Sequence, residues 1–562
     1  MALTSLLSGE RAVVFIFLIC ILSSLPRAVL LHGVILSLIG ISALLVEILV
    51  ESYPPALFPF ITRSADSSGI FLGAVTLPSV MLSRLIQLSR AYTFNEIEKE
   101  GFKFQEGQYW ASIATSFSLL IFLSLLTWLM PSKLSKIATQ RTKAFVTLAA
   151  CFCCIVAFSY RRIQDFVTFL WMFFHGFVAV FLLQHLLNTF PACASVGETL
   201  LATTGLVVYF GDILGYCVSK LFSITGFSGS SLSVFHLNYR KSEINVIIQG
   251  ISFGLLLFPI ILKGLILSTD KFLCVFKIRS RDCAEKSKCF IFCVSLFLLL
   301  VGIIPCWMQF VHEFSIHPFM WVAMFVFSEP MKRLSLCIYW FAIILAAVRQ
   351  FYHISKRSKI ERILLRKYYH LMAVLMFLPA AIFQPKFLTL AFGVALATFL
   401  VLEIIRIWRI WPLGQPLHQF MNAFTDHRDS DLLIISHFSL LLGCALPIWI
   451  SFGYNDRLLS PFAGILSLGI GDTMASIIGH KYGSLRWSKS GKKTIEGTAA
   501  GIMSVLATCS LLLLFLASAG YIFTMHWGSL LMAIVVSGLL EAYTAQLDNA
   551  FIPLVFYSLL CL

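Results

Sequence analysis

The residues of this chain whose types and spacing could do chemistry together lie between Gly469 and Thr498, in GIGDTMASIIGHKYGSLRWSKSGKKTIEGT. Asp472 sits inside an apolar run. Glycines, aromatics and basic residues follow, and Lys492, Lys493, Thr494, Glu496 and Gly497 close the stretch. This mixture suits a phosphate-rich ligand with its divalent cation. Lysines and backbone N–H groups face phosphates, carboxylates hold the cation, and glycines let the backbone come close. The competing reading of the basic residues is a solvated loop that only fixes membrane topology. Topology requires no acids, so Asp472 and Glu496 favour the phosphate reading. Lys492-Lys493-Thr494 looks like the tail of a Walker A loop, but that loop needs glycine at 486, where Arg486 stands. The protein-kinase signatures H-R-D-x-x-x-x-N and D-F-G are also missing.

The elements that must position this stretch are membrane helices. Of 562 residues, 59% are hydrophobic and only 12% charged, against about 25% charged in a soluble globular domain. The apolar runs are apolar all round and about twenty residues long, which suits helices. A β-barrel would need segments of about ten alternating residues. The expected fold is all-α, a polytopic integral membrane protein with roughly 13–16 transmembrane helices. The net charge of +15 does not point to nucleic acid, because Lys and Arg sit in short clusters between apolar runs, the mark of cytosolic loops. Most of the 15 cysteines lie inside apolar segments. Cys151 and Cys154 form a C-x-x-C with no flanking ligands, which reads as membrane-buried thiols.

Taken in order, the first apolar run, about Ala12–Leu25, reads as a retained span because no small-x-small cleavage site follows it. Further spans include Ala144–Ser159 and Leu200–Phe222, while Phe319–Phe327 is too short to cross. Glu47, Glu198 and Asp212 fall at membrane depth or at a span end, and each is a functional candidate by its cost there. Basic clusters at 277–288, 356–367 and 481–493 are cytosolic by charge, and even numbers of spans separate them. The loop 406–431, with Asp426, His427, Arg428 and Asp429, then faces the cytosol, as do Glu541, Gln546, Asp548 and Asn549. Polar groups gathered on one side suit an interfacial enzyme acting on a lipid and a water-soluble ligand. A carrier would spread them across the midplane. Residues 1–355 form an N-terminal multi-span region and 356–562 a catalytic region whose cytosolic nucleotide loop is 469–498.

GIGDTMAS, KKTIEGT and EAYTAQLDNAFIPL together resemble the polyprenol kinase family, which covers dolichol and phytol kinases. RKYYHL (366–371), Glu403 with Arg406, and FTDHRDSDLLIISHFSLLLGCALPIW (424–449) look like its dolichol kinases. PACASVGETLL (191–201) is similar to the family's S-x-G-E segment. The resemblance covers about 366–562 well and the rest loosely. The family's D-E-R-D reads Asp426-His427-Arg428-Asp429 here. The resemblance implies the reaction CTP + dolichol → CDP + dolichyl phosphate, which supplies the lipid carrier for protein glycosylation. It implies a multi-pass endoplasmic reticulum protein whose catalytic loops face the cytosol, with CTP, dolichol, Mg²⁺ and the bilayer as partners. No nucleic acid and no protein partner can be read. Within it, Gly483, Arg486, Trp487, Gly491, Lys492, Lys493, Thr494, Glu496, Gly497 and Thr498 cradle CTP. Asp472, Asp548 and Asn549 hold the metal, with Glu496 a second candidate. Asp472, Asp429, Arg428 and Asp426 are the catalytic group: Asp429 or Asp472 is the base and Arg428 a phosphate clamp. His370 and His437 are alternative bases, though histidines at span ends more often pack. Because the GD-x-x-A-S to KKT-x-EG pattern is shared with phosphatidate cytidylyltransferases, a CTP-using cytidylyltransferase is the alternative, as is a kinase of another isoprenoid alcohol. A polytopic carrier is the non-enzyme alternative.

Overall fold

The structure, a computed structural model, describes residues 8–53, 59–63, 67–93, 99–129, 166–225, 241–275, 281–357, 362–422, 434–487, 493–520 and 527–562. Among them the fold is helical throughout, with one isolated β-bridge between Arg486 and Thr494. In chain order the helices are α1 (Gly9–Ser23), α2 (Leu30–Glu51), α3 (Ile70–Thr93), α4 (Lys99–Leu129), α5 (Phe166–Thr189) and α6 (Val196–Thr225). Then come α7 (Glu243–Val275), α8 (Arg281–Leu298), α9 (Ile304–Val311), α10 (Pro318–Ser328), α11 (Pro330–Arg357), α12 (Arg362–Phe383) and α13 (Pro385–Trp408). The last are α14 (Gly414–Asn422), α15 (Ile435–Ser451), α16 (Thr473–Tyr482), α17 (Ile495–Ser518), α18 (Trp527–Tyr543) and α19 (Asp548–Leu560). π-helical segments at Leu299–Ile303 and Ile465–Asp472 run into α9 and α16. Ten of the described helices are long and apolar enough to cross a membrane, and five shorter apolar helices accompany them. The chain is therefore an all-α polytopic membrane protein. The expected span Ala144–Ser159, the C-x-x-C and the 426–429 motif lie outside the described residues.

The chain forms two compact units. One combines Met1–Tyr239, Ile363–Val374 and Gly443–Leu562; the other combines Arg240–Arg362 and Leu375–Leu442. Compaction thus follows other lines than the division at 355, which remains a proposal about function. In the first unit α3 is central. It packs on α2, α4, α6 and α19, and 94% of its apolar window is buried by protein. α1 packs on α18. In the second unit α7 lies along α13. There Glu403 and Arg406, one turn apart on α13, pair at 2.7 Å, and Glu403 Oε1 also accepts the Ile434 N–H at 3.0 Å. A buried pair of this kind holds its geometry, because any loosening leaves a bare charge.

Candidate active site

Asp472 ends the π-helical segment Ile465–Asp472 and is 3% exposed. One-turn π-bulges are frequent at functional sites. Its Oδ2 accepts from Lys367 Nζ at 2.5 Å and stands 3.0 Å from His370 Nδ1. That nitrogen also lies 3.2 Å from the Leu468 carbonyl. Lys367 and His370 are three residues apart on α12 and so share one helix face. The family-like segment 366–371 therefore contributes the cationic partner of Asp472, and His370 touches the carboxylate rather than merely packing. Lys367 was not singled out as a site residue in the sequence.

The next element is a short hairpin. The Ile495 N–H donates to Leu485 O at 2.8 Å and the Trp487 N–H to Lys493 O at 3.2 Å. Glu496, in the first turn of α17, accepts the Ser484 and Leu485 N–H groups at 3.1 and 3.0 Å and so clamps the hairpin's first strand. Glu496 also accepts from Ser484 Oγ, and its visible task is to shape the loop. Thr494 N-caps α17, its Oγ1 accepting from Gly497 N at 3.2 Å. Trp487 donates through Nε1 to Thr498 Oγ1 at 2.9 Å, and its ring lies 5.1 Å from that of Tyr543. Arg486 is exposed. Gly483 and Gly497 serve helix packing. A Cβ on Gly483 would overlap the Gly479 carbonyl, and one on Gly497 would lie 2.6 Å from Ala475 O. Gly491 and Lys492 lie outside the described residues.

Lys493 reaches across to the end of α18, where its Nζ donates to the Glu541 and Thr544 carbonyls. A cation there meets the negative end of the helix. Glu541, placed on the cytosolic side from the sequence, was given no role in the site there. Asp472, Asp548, Lys367 and Lys493 all act electrostatically on its carboxylate, and Asp548 and Glu541 act on the Lys367 ammonium. Asp548 and Asn549 open α19, and Asn549 is 5% exposed. Three carboxyl groups and two ammonium groups thus lie within electrostatic reach of one another, an oxygen-rich set that a divalent cation could join. Among the described residues, none hydrogen-bonds the buried Thr473 Oγ1, next to Asp472. Among the described residues no three His, Cys, Asp or Glu side chains converge as a ready-made metal cage. Oxygen donors from one or two carboxylates, completed by phosphates and water, are what Mg²⁺ takes, so the set fits that ion bound with a nucleotide.

The N-terminal part of the chain surrounds the turn before α19. Glu198 Oε1 accepts from Arg63 and from the Leu547 N–H, both at 2.6 Å. Arg63 also donates to Ala545 O at 3.1 Å, Ser195 Oγ donates to Gln546 Oε1, and Gln546 Nε2 donates to Ser67 O at 3.1 Å. Glu10 accepts from Ser67 Oγ at 3.1 Å. Of the acids flagged by membrane depth, Glu198 touches this turn. Glu47 is fully buried, pairs with Arg11 at 2.7 Å and accepts the Phe71 N–H at 2.7 Å. In the sequence, the S-x-G-E segment and the cost of Glu198 at membrane depth were the signals for this contact.

Comparison with known proteins reaches the same place. A family model described as dolichol kinase matches residues 141–446, ending before Asp472. A dolichol kinase of Arabidopsis thaliana, named EVAN, is 56% identical over 568 residues, covering 100% of this chain and 99% of its own. Human dolichol kinase is 33% identical over 399 residues, 68% of each chain. The dolichol kinase sec59 of Schizosaccharomyces pombe is 32% identical over 352 residues, 60% of this chain and 66% of its own. No solved structure matches the chain significantly. Likeness along the whole length to one such protein, and a family match across more than half the residues, place this chain in the dolichol kinase family.

Proposed function

We propose that this enzyme phosphorylates dolichol with CTP as donor and Mg²⁺ as counter-ion, at the cytosolic face of the endoplasmic reticulum membrane. Family membership carries the acceptor and the reaction class. The observation that supports the donor site is the meeting of Lys367, Lys493, Asp472, Glu541 and Asp548 beside a hairpin. The basic clusters flanking the spans support the cytosolic orientation.

The terminal hydroxyl oxygen of dolichol bonds to the γ-phosphorus, the bond to the β–γ bridging oxygen breaks, and CDP leaves. Phosphoryl transfer of this kind asks a protein mainly for alignment and charge neutralisation. Bound Mg²⁺ would offset the phosphate charge, with Asp472 and Asp548 as its protein ligands and Asn549 beside them. Lys492 and Lys493 neutralise the phosphate chain, and the segment from Gly483 to Thr498 carries the nucleotide. Lys367 and His370 hold Asp472 in one orientation. A carboxylate, Asp472 or Asp429, accepts the hydroxyl proton, and Arg428 clamps the phosphates; Asp426 belongs to the same catalytic group. A narrow, half-open cleft lined by Gly471, Gly501, Val505, Ile534, Ser537 and Glu541 marks where the head of the alcohol would approach. Its walls are mostly apolar, and Glu541 lines it.

The test uses purified protein in detergent with Mg²⁺, dolichol and CTP labelled at the γ-phosphate, alongside Asp472→Asn and Lys493→Ala. Label in the lipid, lost in both variants, is the expected result. Label released as pyrophosphate with cytidine entering the lipid would convert the reading to a cytidylyltransferase. Turnover with ATP and none with CTP would remove the donor assignment alone.

A further inference from the structure

We infer that Glu198, in the N-terminal part of the chain, is a positioning residue for the metal and nucleotide end of the reaction. It fixes the start of α19 and with it Asp548 and Asn549. The inference rests on the reading that these two residues face the metal-bound nucleotide.

Both oxygens of Glu198 are committed. Ser195 and Glu198 form a reciprocal capping box at the start of α6: Ser195 Oγ accepts the Glu198 N–H at 3.1 Å, and Glu198 Oε2 accepts the Ser195 N–H at 2.9 Å. That leaves Oε1, which receives Arg63 and the Leu547 N–H, each at 2.6 Å. Leu547 is the N-cap residue of α19, and its apolar side chain makes no cap hydrogen bond. Helix N-termini need oxygen acceptors from somewhere. Here the acceptor on the cap residue's own N–H comes from 349 residues away in sequence. Arg63 ties the same carboxylate to Ala545 O, and Ser195 Oγ ties the capping box to Gln546. The turn 545–547 is therefore gripped by side chains from α6 and from the segment before α3. The grip is close because Gly197 lies against the backbone of Gly69 and Gly73, where a Cβ would overlap main-chain atoms.

A carboxylate suits this position and an amide does not. Glutamine would present one oxygen and one NH₂ to two ends that both require acceptors. Either the capping box or the Arg63–Leu547 pair would then face donor against donor. Because Glu198 acts through the backbone of 547, its loss moves Asp548 rather than removing a ligand.

The experiment measures γ-label transfer by purified wild type, Glu198→Gln and Glu198→Asp while CTP and Mg²⁺ are titrated separately, with melting temperatures alongside. The expected result for E198Q is kcat lower by about 10–100-fold and a higher Mg²⁺ half-saturation, as for other residues that orient metal ligands. Saturating Mg²⁺ restores part of the rate, and E198D falls between. A wild type that transfers no label sinks the CTP reading itself. A working wild type beside an E198Q with unchanged kcat and Mg²⁺ dependence overturns the positioning role alone. A lowered melting temperature with slower turnover but unmoved Mg²⁺ half-saturation overturns it too, because that is a purely structural effect. If E198Q does not accumulate, Ser195→Ala releases the Gln546 contact and is read by the same criterion: an unmoved Mg²⁺ half-saturation overturns the inference.

Discussion

Asp472 presents one oxygen to two nitrogen donors while itself buried, and the balance there is sharp. Removing a single partner of a buried pair leaves a bare charge, whereas removing both leaves only a packing defect. Lys367→Met is therefore expected to abolish transfer and to destabilise the protein by about 3–5 kcal/mol. Lys367→Met with Asp472→Asn is expected to regain much of that stability and none of the activity. Melting temperatures in detergent together with the transfer assay check both halves. A second residue-scale prediction concerns Glu10. Burial, and then the neighbouring Glu47, push its carboxyl up from 4.5 to about 7. The folded protein thus keeps a proton that the unfolded chain releases. The stabilisation is complete below about pH 4.5 and is lost as pH rises through about 7. Glu10→Gln is expected to flatten a difference of roughly 2 kcal/mol between about pH 5.5 and 8, and a pH series of melting temperatures reads it directly.

Two helices meet at Asp472 through a pair of matched motifs. Gly479 and Gly483 on and after α16, and Gly497 and Gly501 on α17, are each spaced by four, the small-xxx-small pattern of close membrane-helix contacts. Gly497→Val is expected to separate α16 from α17 and to abolish activity with a lowered melting temperature. Gly107→Ala, inside α4 with nothing near its missing Cβ, is expected to raise stability by about 0.5–1 kcal/mol. The stretch 469–498 was legible as the organising element, and Asp472, Lys493 and the glycines do cluster in it. The work of the glycines was not legible, because a phosphate and a neighbouring helix ask for the same missing Cβ. The partners of Asp472 were half legible. RKYYHL was a family resemblance, and only the fold places Lys367 and His370 on one face toward position 472. Glu541 was placed on the cytosolic side but given no role, because an acid at a helix end looks like any interfacial residue until Asp472, Asp548 and two lysines are brought beside it.

Membrane class and helical architecture followed from composition, since too few polar residues exist to cover a soluble body of this size. The grouping of helices did not follow, because apolar periodicity says which segments are buried and nothing about which distant segment buries them. Helices α1 to α6 belong to the same compact unit as α16 to α19. A fragment of residues 356–562, which keeps every strong family motif, is accordingly expected to be inactive and poorly folded, as expression in membranes and the transfer assay would reveal. The same arrangement constrains how the protein is made. Helix α3 carries Ser79, Ser83, Arg84 and Gln87 buried in the finished protein, and Ser83 meets Ser558 of α19 Oγ to Oγ at 2.5 Å. Ribosomes add roughly 5–20 residues per second, so α3 waits on the order of a minute for the helix that covers this polar face. During that interval a hydrophilic stripe must be tolerated by lipid or sheltered by an insertion chaperone, and the cell's capacity to protect an unfinished α3 then governs how much enzyme each round of translation yields.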